Sequence, residues 1–206
     1  MKKLKLIRWI VWLAVAVLCA ALLVGKMLTA PVSIPTSVTT GITAPAKRPF
    51  TMVTQQGKPF TEKELADKPS ILFFGFTSCP AICPGALADM TIWLEKLGAD
   101  ATKVHAVFIS LDPERDTVKH IASYLKSYDS RIIGLTGTPE QVAAIAKAYG
   151  IYYKKMPPMD DGDYMVDHSA SLYLYDTNGQ LISTIDTMEN RDIAFAKIKK
   201  LIDQQP

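Results

Sequence analysis

Short apolar runs that suit buried strands alternate with amphipathic segments from residue 49 to the end of the chain. The runs are rich in β-branched and aromatic residues and are bounded by turn residues, as expected of strands. The first two and the last two are joined by short turns that contain glycine, so each pair is predicted to form a hairpin. The predicted strands cover residues 49–54, 58–60, 70–76, 104–111, 131–135, 151–154, 171–175 and 180–186.

Segments with helical periodicity separate these strands. The predicted helices cover residues 61–66, 85–97, 117–127, 138–149 and 191–204. The first and fourth of them open with a capping box. In the second, four apolar residues at helical spacing mark the inner face: Leu87, Met90, Leu94 and Leu97. Strands that alternate with helices and end in a hairpin and a helix indicate an α/β domain. We predict a central mixed sheet, an N-terminal hairpin and helices on both faces.

The first 28 residues have a different pattern. Residues 9–25 carry no charge and are almost wholly apolar, and Arg8 and Lys26 flank them. As a helix this segment would span about 26 Å, which is at the short end for crossing a bilayer. The basic residues before it predict a cytoplasmic N-terminus and export of the rest. We therefore predict a single transmembrane helix within residues 1–28, with a cleaved signal peptide as the alternative.

Residues 29–46 contain three prolines, many serines and threonines, and no charged residue. This composition is typical of a semi-extended tether, which places the folded domain at residues 47–206. The N-terminus has no recognisable transit peptide, and this favours a bacterial inner membrane, with the domain on the periplasmic side.

The charge distribution excludes one class of partner. Residues 1–26 hold five of the 23 Lys and Arg residues and no Asp or Glu, so 18 basic residues face 20 acidic ones in the rest. The exported part of the chain therefore carries a net charge of about −2, which argues against a nucleic-acid partner.

Two cysteines lie where the strand 70–76 passes into the next helix. Cys79 and Cys83 are one helical turn apart, and Pro84 suits the first helical position. The dipole and the free N–H groups of a helix N-terminus favour thiolate over thiol. Such a pair can close a disulfide or hold a soft metal ion, and an inert structural disulfide is a further possibility. Its place in an α/β chain suggests a thioredoxin-type fold, although the spacing is C-x3-C and not the C-x2-C of thioredoxins.

His168 is the third candidate residue. It precedes the predicted strand 171–175, whose start lies beside the cysteine loop in a thioredoxin-like topology. A neutral imidazole at this place would complete a set of two thiolates and one nitrogen for a soft ion. Asp167 is adjacent, but neighbours in an extended chain point to opposite faces, so it is not expected to orient the histidine.

With these residues the sequence resembles the SCO/SenC family, membrane-tethered copper proteins with a thioredoxin-like fold. The resemblance extends from about residue 50 to the C-terminus, and the predicted anchor and tether fit it as well. The matching segments are residues 74–84 (FGFTSCPAICP), 110–117 (SLDPERDT), 167–169 (DHS) and 172–175 (LYLY).

The resemblance implies that Cys79, Cys83 and His168 bind copper. Thiolates select Cu(I), and an added imidazole lets the same site hold Cu(II). The implied function is that of a copper chaperone, which takes copper from a donor and helps to assemble the two-copper centre of cytochrome c oxidase subunit II or serves another copper acceptor. The alternative is a thiol–disulfide oxidoreductase that uses the two cysteines as a redox pair to reduce the cysteines of the apo-oxidase subunit. Only copper retention requires the histidine.

Four further residues have more than one interpretation. Asp112 lies at a strand end that faces the predicted site, where it supports the histidine, steers a partner or forms the turn before the helix. The methionines of the loop 155–165 either offer thioethers to Cu(I), form an apolar surface for a partner, or pack inside the domain. They are Met156, Met159 and Met165.

Overall fold

The computed structural model describes residues 49–160 and 162–204, together with Trp12. Within the two long ranges the chain forms nine strands and four α-helices. The strands are β1 (Thr51–Thr54), β2 (Pro59–Thr61), β3 (Ser70–Gly75), β4 (His105–Ser110), β5 (Ile132–Thr136), β6 (Tyr153–Lys155), β7 (Val166–His168), β8 (Leu172–Tyr175) and β9 (Leu181–Ile185). The helices are α1 (Ile82–Leu97), α2 (Val118–Tyr124), α3 (Pro139–Tyr149) and α4 (Arg191–Asp203). Short 3₁₀ helices cover Glu62–Leu65, Gly98–Lys103 and Leu125–Ser127.

Seven of these strands form one mixed sheet in the order β2-β1-β5-β4-β3-β8-β9. β3, β4 and β5 run parallel at its centre, and β1 and β8 join them antiparallel. All six residues of β3 are buried, as expected of a strand that is covered on both faces. The mixed sheet and the N-terminal hairpin of β1 and β2 confirm the predicted α/β architecture.

Helices cover both faces of the sheet. On one face, α1 brings Cys83 against Gly75 of β3. On the other face, the ring of Tyr149 from α3 packs on Phe74, with centroids 5.9 Å apart. Phe74 and Gly75 are consecutive residues of one strand and therefore point in opposite directions. The cysteine-bearing helix thus lies on the opposite face from α3, and the strand β3 passes between them.

The helix that carries Cys83 starts earlier than the sequence predicts. α1 begins at Ile82, so Pro84 is its third residue and not its first. Proline is tolerated there because the N–H groups of the first turn have no acceptor within the helix. Cys83 consequently lies inside the first turn of α1.

The strands β6 and β7 also differ from the prediction. The sequence predicts a strand at residues 151–154, and the observed strand is shifted to Tyr153–Lys155. It pairs with β7 and not with the central sheet. The sequence around His168 predicts only an extended segment, because a three-residue strand leaves almost no periodicity to detect. His168 is the last residue of β7 and lies opposite Tyr153 of β6.

None of the helices within the described ranges is long and apolar enough to cross a bilayer. The predicted anchor at residues 1–28 and the tether at residues 29–46 lie outside the described residues, Trp12 excepted.

Candidate metal centre

The cysteine loop connects the buried end of β3 to the start of α1. Thr77 fixes this loop, because its N–H and its Oγ1 donate to the two carboxylate oxygens of Asp116 at 3.0 and 2.5 Å. The N–H of Cys79 donates to the carbonyl oxygen of Phe76 at 3.3 Å. The loop is therefore held from both sides before the helix begins.

Both cysteines are free thiols. Cys79 is 8 % exposed and Cys83 is fully buried. The N–H of Cys83 donates to Cys79 Sγ at 3.4 Å, so the Cys79 sulfur accepts from one of the donors that a helix leaves without an internal partner. This placement confirms that both cysteines lie at the junction of strand and helix.

Gly75 makes the room that the Cys83 sulfur occupies. A Cβ atom at position 75 would lie 2.7 Å from Cys83 Sγ, and 3.2 and 3.3 Å from the rings of Phe108 and Phe73. A glycine within a strand often marks such a close approach. The glycine therefore leaves the space in the core that the Cys83 sulfur fills.

The protonation of Cys83 differs from the expectation based on the helix N-terminus. Burial raises the pKa of the Cys83 thiol, and the neighbouring Cys79 and Asp116 raise it further, while a backbone hydrogen bond with Phe76 lowers it. Lost hydration therefore favours the thiol over the thiolate at Cys83, and the prediction of a favoured thiolate is wrong for this residue. A bound cation would supply the missing opposite charge, because a coordinating thiol is deprotonated.

His168 reaches the cysteine loop from the end of β7. Its Nε2 lies 3.9 Å from Cys83 Sγ. Its Nδ1 lies 3.0 Å from the carbonyl oxygen of Ser169. A carbonyl only accepts, so this hydrogen bond places the ring proton on Nδ1 and leaves the lone pair of Nε2 free for a ligand. The ring also packs edge-on against Phe76, with centroids 5.8 Å apart and planes at 86°.

The spacing of Cys83 and His168 fits two ligands of a single ion. Ligands that bind the same ion at roughly 2.0–2.3 Å lie about 3.5–3.7 Å from each other, slightly closer than these two atoms. Sulfur and imidazole ligands suit copper in both oxidation states. Within the described residues, no group of three or more His, Cys, Asp or Glu side chains forms a complete metal-binding set. The structure thus brings two of the predicted ligands close together, and the ligand set of Cys79, Cys83 and His168 stays a prediction.

Asp116 is a residue that the sequence reasoning missed. It is fully buried, and besides Thr77 it accepts a hydrogen bond from Ser110 Oγ at 2.6 Å. Burial raises the pKa of its carboxyl group, and these hydrogen bonds oppose the shift. The one available signal was its place in the SLDPERDT segment.

Asp112 proves to be more than a turn residue. It is 3 % exposed and accepts hydrogen bonds from Tyr164 Oη at 2.6 Å and from Arg115 Nε at 2.5 Å. Tyr164 belongs to the loop that leads into β7. Asp112 therefore contacts the segment that carries the histidine and not the imidazole itself.

The three loop methionines lie in different environments. Met156 and Met159 are 39 % and 48 % exposed, whereas Met165 packs against the core. The N–H of Met156 donates to the carbonyl oxygen of Met165 at 2.8 Å, so the loop folds back on itself. Met156 and Met159 are thus open to a partner molecule. His105 is far from them, because it lies at the end of the sheet opposite to the cysteine loop, where it contacts Asp67.

Comparisons with known proteins bear on the family and on the fold. The sequence matches the SCO1/SenC family over residues 39–203. It is 42 % identical over 158 residues to "Protein SCO2, mitochondrial" of Saccharomyces cerevisiae, covering 75 % of this chain and 52 % of that protein. The chain thus spans about half the length of this curated relative.

Solved structures share the thioredoxin-like α/β fold. The structure of Bradyrhizobium japonicum ScoI with copper bound has a TM-score of 0.70 at 41 % identity, over 75 % of this chain and 98 % of that one. BsSco has a TM-score of 0.61 at 27 % identity, over 78 % of this chain and 95 % of that one. It is described as a member of the Sco family of cytochrome c oxidase assembly proteins with a disulfide switch.

Proposed function

Because the chain belongs to the SCO1/SenC family, we propose that it is a copper chaperone that holds copper through Cys79, Cys83 and His168. The observation that carries this proposal is the 3.9 Å contact between Cys83 Sγ and His168 Nε2, two residues 85 positions apart. The copper-bound state of the related ScoI supports the choice of metal.

Copper is the cargo in this proposal, and each ligand has a separate task. The sulfurs of Cys79 and Cys83 hold Cu(I), and the imidazole of His168 adds the nitrogen that Cu(II) prefers. The hydrogen bond from His168 Nδ1 to the Ser169 carbonyl oxygen keeps the ring in the ligating tautomer. Three protein ligands leave one position open, through which an acceptor's ligand can enter before the donor's ligands leave.

We further propose that the acceptor is the two-copper centre of cytochrome c oxidase subunit II, with a separate copper donor upstream. The description of BsSco as a cytochrome c oxidase assembly protein supports this acceptor. The proposed topology is a single-pass anchor in a bacterial inner membrane with the copper domain on the periplasmic side. The uncharged segment at residues 9–25 and its basic flank support that topology.

A thiol–disulfide oxidoreductase is the second candidate function, because both thiols are free and lie one helical turn apart. In this reaction the Cys79 thiolate attacks the disulfide of a partner protein and releases one partner thiolate. Cys83 then displaces the second, which leaves a Cys79–Cys83 disulfide and a reduced partner. The raised pKa of buried Cys83 slows the second step, because only the thiolate attacks. Copper binding also requires the Cys83 thiolate, but there the bound ion itself supplies the opposite charge that favours deprotonation.

His168→Ala tests the copper site. We expect the variant to bind Cu(II) at least about 10-fold more weakly, since it loses the one nitrogen ligand, while Cu(I) affinity falls less. Competition titration of the full chain in detergent measures both affinities, and the thiolate-to-Cu(II) charge-transfer band reports the ligand set. His105→Ala is the matched control, because His105 begins β4 at the end of the sheet away from the cysteine loop.

The same variant separates the two functions. Disulfide reduction needs no imidazole, so an oxidoreductase keeps its rate of reducing a model disulfide peptide when His168 is removed. Unchanged Cu(II) affinity and an unchanged charge-transfer band in His168→Ala would show that the assigned ligand set is wrong.

A further inference from the structure

The turn at residues 112–116, between β4 and α2, touches both segments that carry the predicted copper ligands. Its main chain is fixed to the sheet at each end. The N–H of Leu111 donates to the carbonyl oxygen of Gly75 at 2.8 Å, and Thr136 Oγ1 donates to the carbonyl oxygen of Asp116 at 2.6 Å. The turn is therefore a firm part of the scaffold.

The first and last residues of the turn, Asp112 and Asp116, carry buried carboxylates. Asp112 is 3 % exposed and Asp116 has no exposed surface. Burying a charged group is unfavourable unless it is paired and hydrogen-bonded. Each carboxylate accepts bonds from a different segment of the chain, so their partners show what the turn connects.

Asp116 connects the turn to the cysteines. Both donors of Thr77 bond to its carboxylate, and Thr77 lies two residues before Cys79. The Ser110 hydroxyl adds a third hydrogen bond at 2.6 Å. Displacement of this loop would leave a buried carboxylate short of donors, which is the costly way to break a hydrogen bond.

Asp112 connects the same turn to the imidazole. Tyr164, 9 % exposed, donates its hydroxyl to Asp112 at 2.6 Å and lies four residues before His168. Arg115 donates its Nε to the other Asp112 oxygen at 2.5 Å and its Nη1 to Asp163. Asp163 and Tyr164, which are neighbours in the loop before β7, are thus held by Arg115 and by the Asp112 carboxylate.

Arg115 is also connected to His168 through the aromatic ring of Phe76, which contacts both residues. Its guanidinium carbon lies 3.7 Å from the ring centroid of Tyr164 and 5.8 Å from that of Phe76. Phe76 in turn packs against the imidazole. The Nη2 atom of Arg115 is buried and has no hydrogen-bond partner among the described residues. The two rings and the two carboxylates therefore hold the guanidinium in place.

We propose that the turn at residues 112–116 is a clamp that sets the distance between the thiols and the imidazole, with Tyr164 and Arg115 as positioning residues for His168. This inference rests on the proposed copper site. Because Asp112 and Asp116 belong to one anchored turn, the cysteine loop and β7 keep a fixed relation before the ion arrives. Loss of the clamp affects Cu(II) more than Cu(I), since the imidazole matters most for Cu(II).

Tyr164→Phe tests the clamp by removing one hydroxyl group and little else. We expect Cu(II) affinity of the full chain in detergent to fall roughly 10- to 100-fold, as for other residues that orient metal ligands. Arg115→Lys, which keeps the charge but loses the planar fork, is expected to act in the same direction. The matched control is Tyr152→Phe, since Tyr152 is 56 % exposed and only its carbonyl oxygen contacts the Ser169 N–H. That control should bind Cu(II) like the wild type.

A metal-free measurement tests the same claim independently. Backbone hydrogen exchange of residues 162–169, followed by mass spectrometry without copper, should quicken in Tyr164→Phe and stay unchanged in Tyr152→Phe. In a His168→Ala background, Tyr164→Phe should cause no further loss of Cu(II) affinity. An equal further loss would overturn the positioning role, because Tyr164 would then act on the whole fold.

The failures of the two proposals are distinguishable. If His168→Ala weakens Cu(II) binding while Tyr164→Phe changes neither affinity nor exchange, the clamp is wrong and the copper site stands. If His168→Ala leaves Cu(II) binding unchanged, the ligand set is wrong, and the copper-based role of the clamp falls with it.

Discussion

Gly75 and Cys83 approach each other so closely that the Cys83 sulfur fits only because residue 75 has no side chain. The sulfur occupies the place that a Cβ atom at position 75 would need. The thiol is fully buried, so the sulfur lies inside the core beside this glycine. A single hydrogen atom in place of a methyl group thus determines the position of one predicted copper ligand.

Gly75→Ala is expected to displace the sulfur. Overpacking of a dense core costs about 1–3 kcal/mol, so urea unfolding of the segment 47–206 should show a loss of that size. Copper affinity should fall as well. Gly85→Ala is the matched control, because a Cβ atom there meets nothing within 4 Å. Equal stability of the two variants would contradict the close approach.

Among the elements, the segment before β5 joins the sheet to the cysteine-bearing helix. Arg131 donates its Nε and Nη2 to the two carboxylate oxygens of Asp129 at 2.9 and 2.6 Å. The N–H of Asp129 donates to Thr91 Oγ1 of α1 at 3.1 Å. The backbone N–H of Asp129 thus holds the start of a central strand near α1. Its carboxylate, on a side chain that is only 9 % exposed, holds Arg131.

This ion pair predicts a pH dependence of stability. Hydrogen bonds from Arg131 hold the pKa of the Asp129 carboxyl below its usual range. A lowered pKa in the folded state stabilises the fold above the unfolded pKa of about 3.9, and this stabilisation is lost as the pH falls through the folded pKa.

Asp129→Asn should therefore unfold about 1 kcal/mol more easily at pH 7 and should match the wild type once the carboxyl is protonated. Urea unfolding between pH 2 and pH 7 measures the difference. Asp160→Asn, at an exposed loop position, is the control. A difference that persisted at the lowest pH would show that the carboxylate charge is not its cause.

For the whole molecule, the proposed topology holds the copper domain at a membrane. The segment at residues 9–25 is uncharged, and five basic residues lie within residues 1–26. This arrangement favours an uncleaved anchor with its N-terminus in the cytoplasm.

The proposed anchor predicts that the intact chain stays with the membrane. After carbonate extraction the protein should sediment with membranes, and its mass should include residues 1–28. A chain from which these residues have been deleted is the control and should remain in the supernatant. A shortened protein in the periplasmic fraction would instead indicate a cleaved signal peptide.

Much of the domain was predictable from local signals. The capping box of Thr138 and Gln141 and the left-handed Gly150 bound α3 as predicted, because caps involve only neighbouring residues. The apolar stripe of α1 is buried as predicted. The strand β7 was not predictable, since three residues give no period and β6 alone provides their hydrogen bonds.

The sequence by itself determined the α/β alternation, the two thiols at a helix start and the histidine near the final hairpin, because periodicity, caps and spacing act over a few residues. Only the tertiary structure decided that His168 meets Cys83, that burial raises the pKa of the Cys83 thiol, and that one turn contacts both ligand segments. These properties depend on desolvation and on contacts between distant residues, and both arise only when the chain is packed.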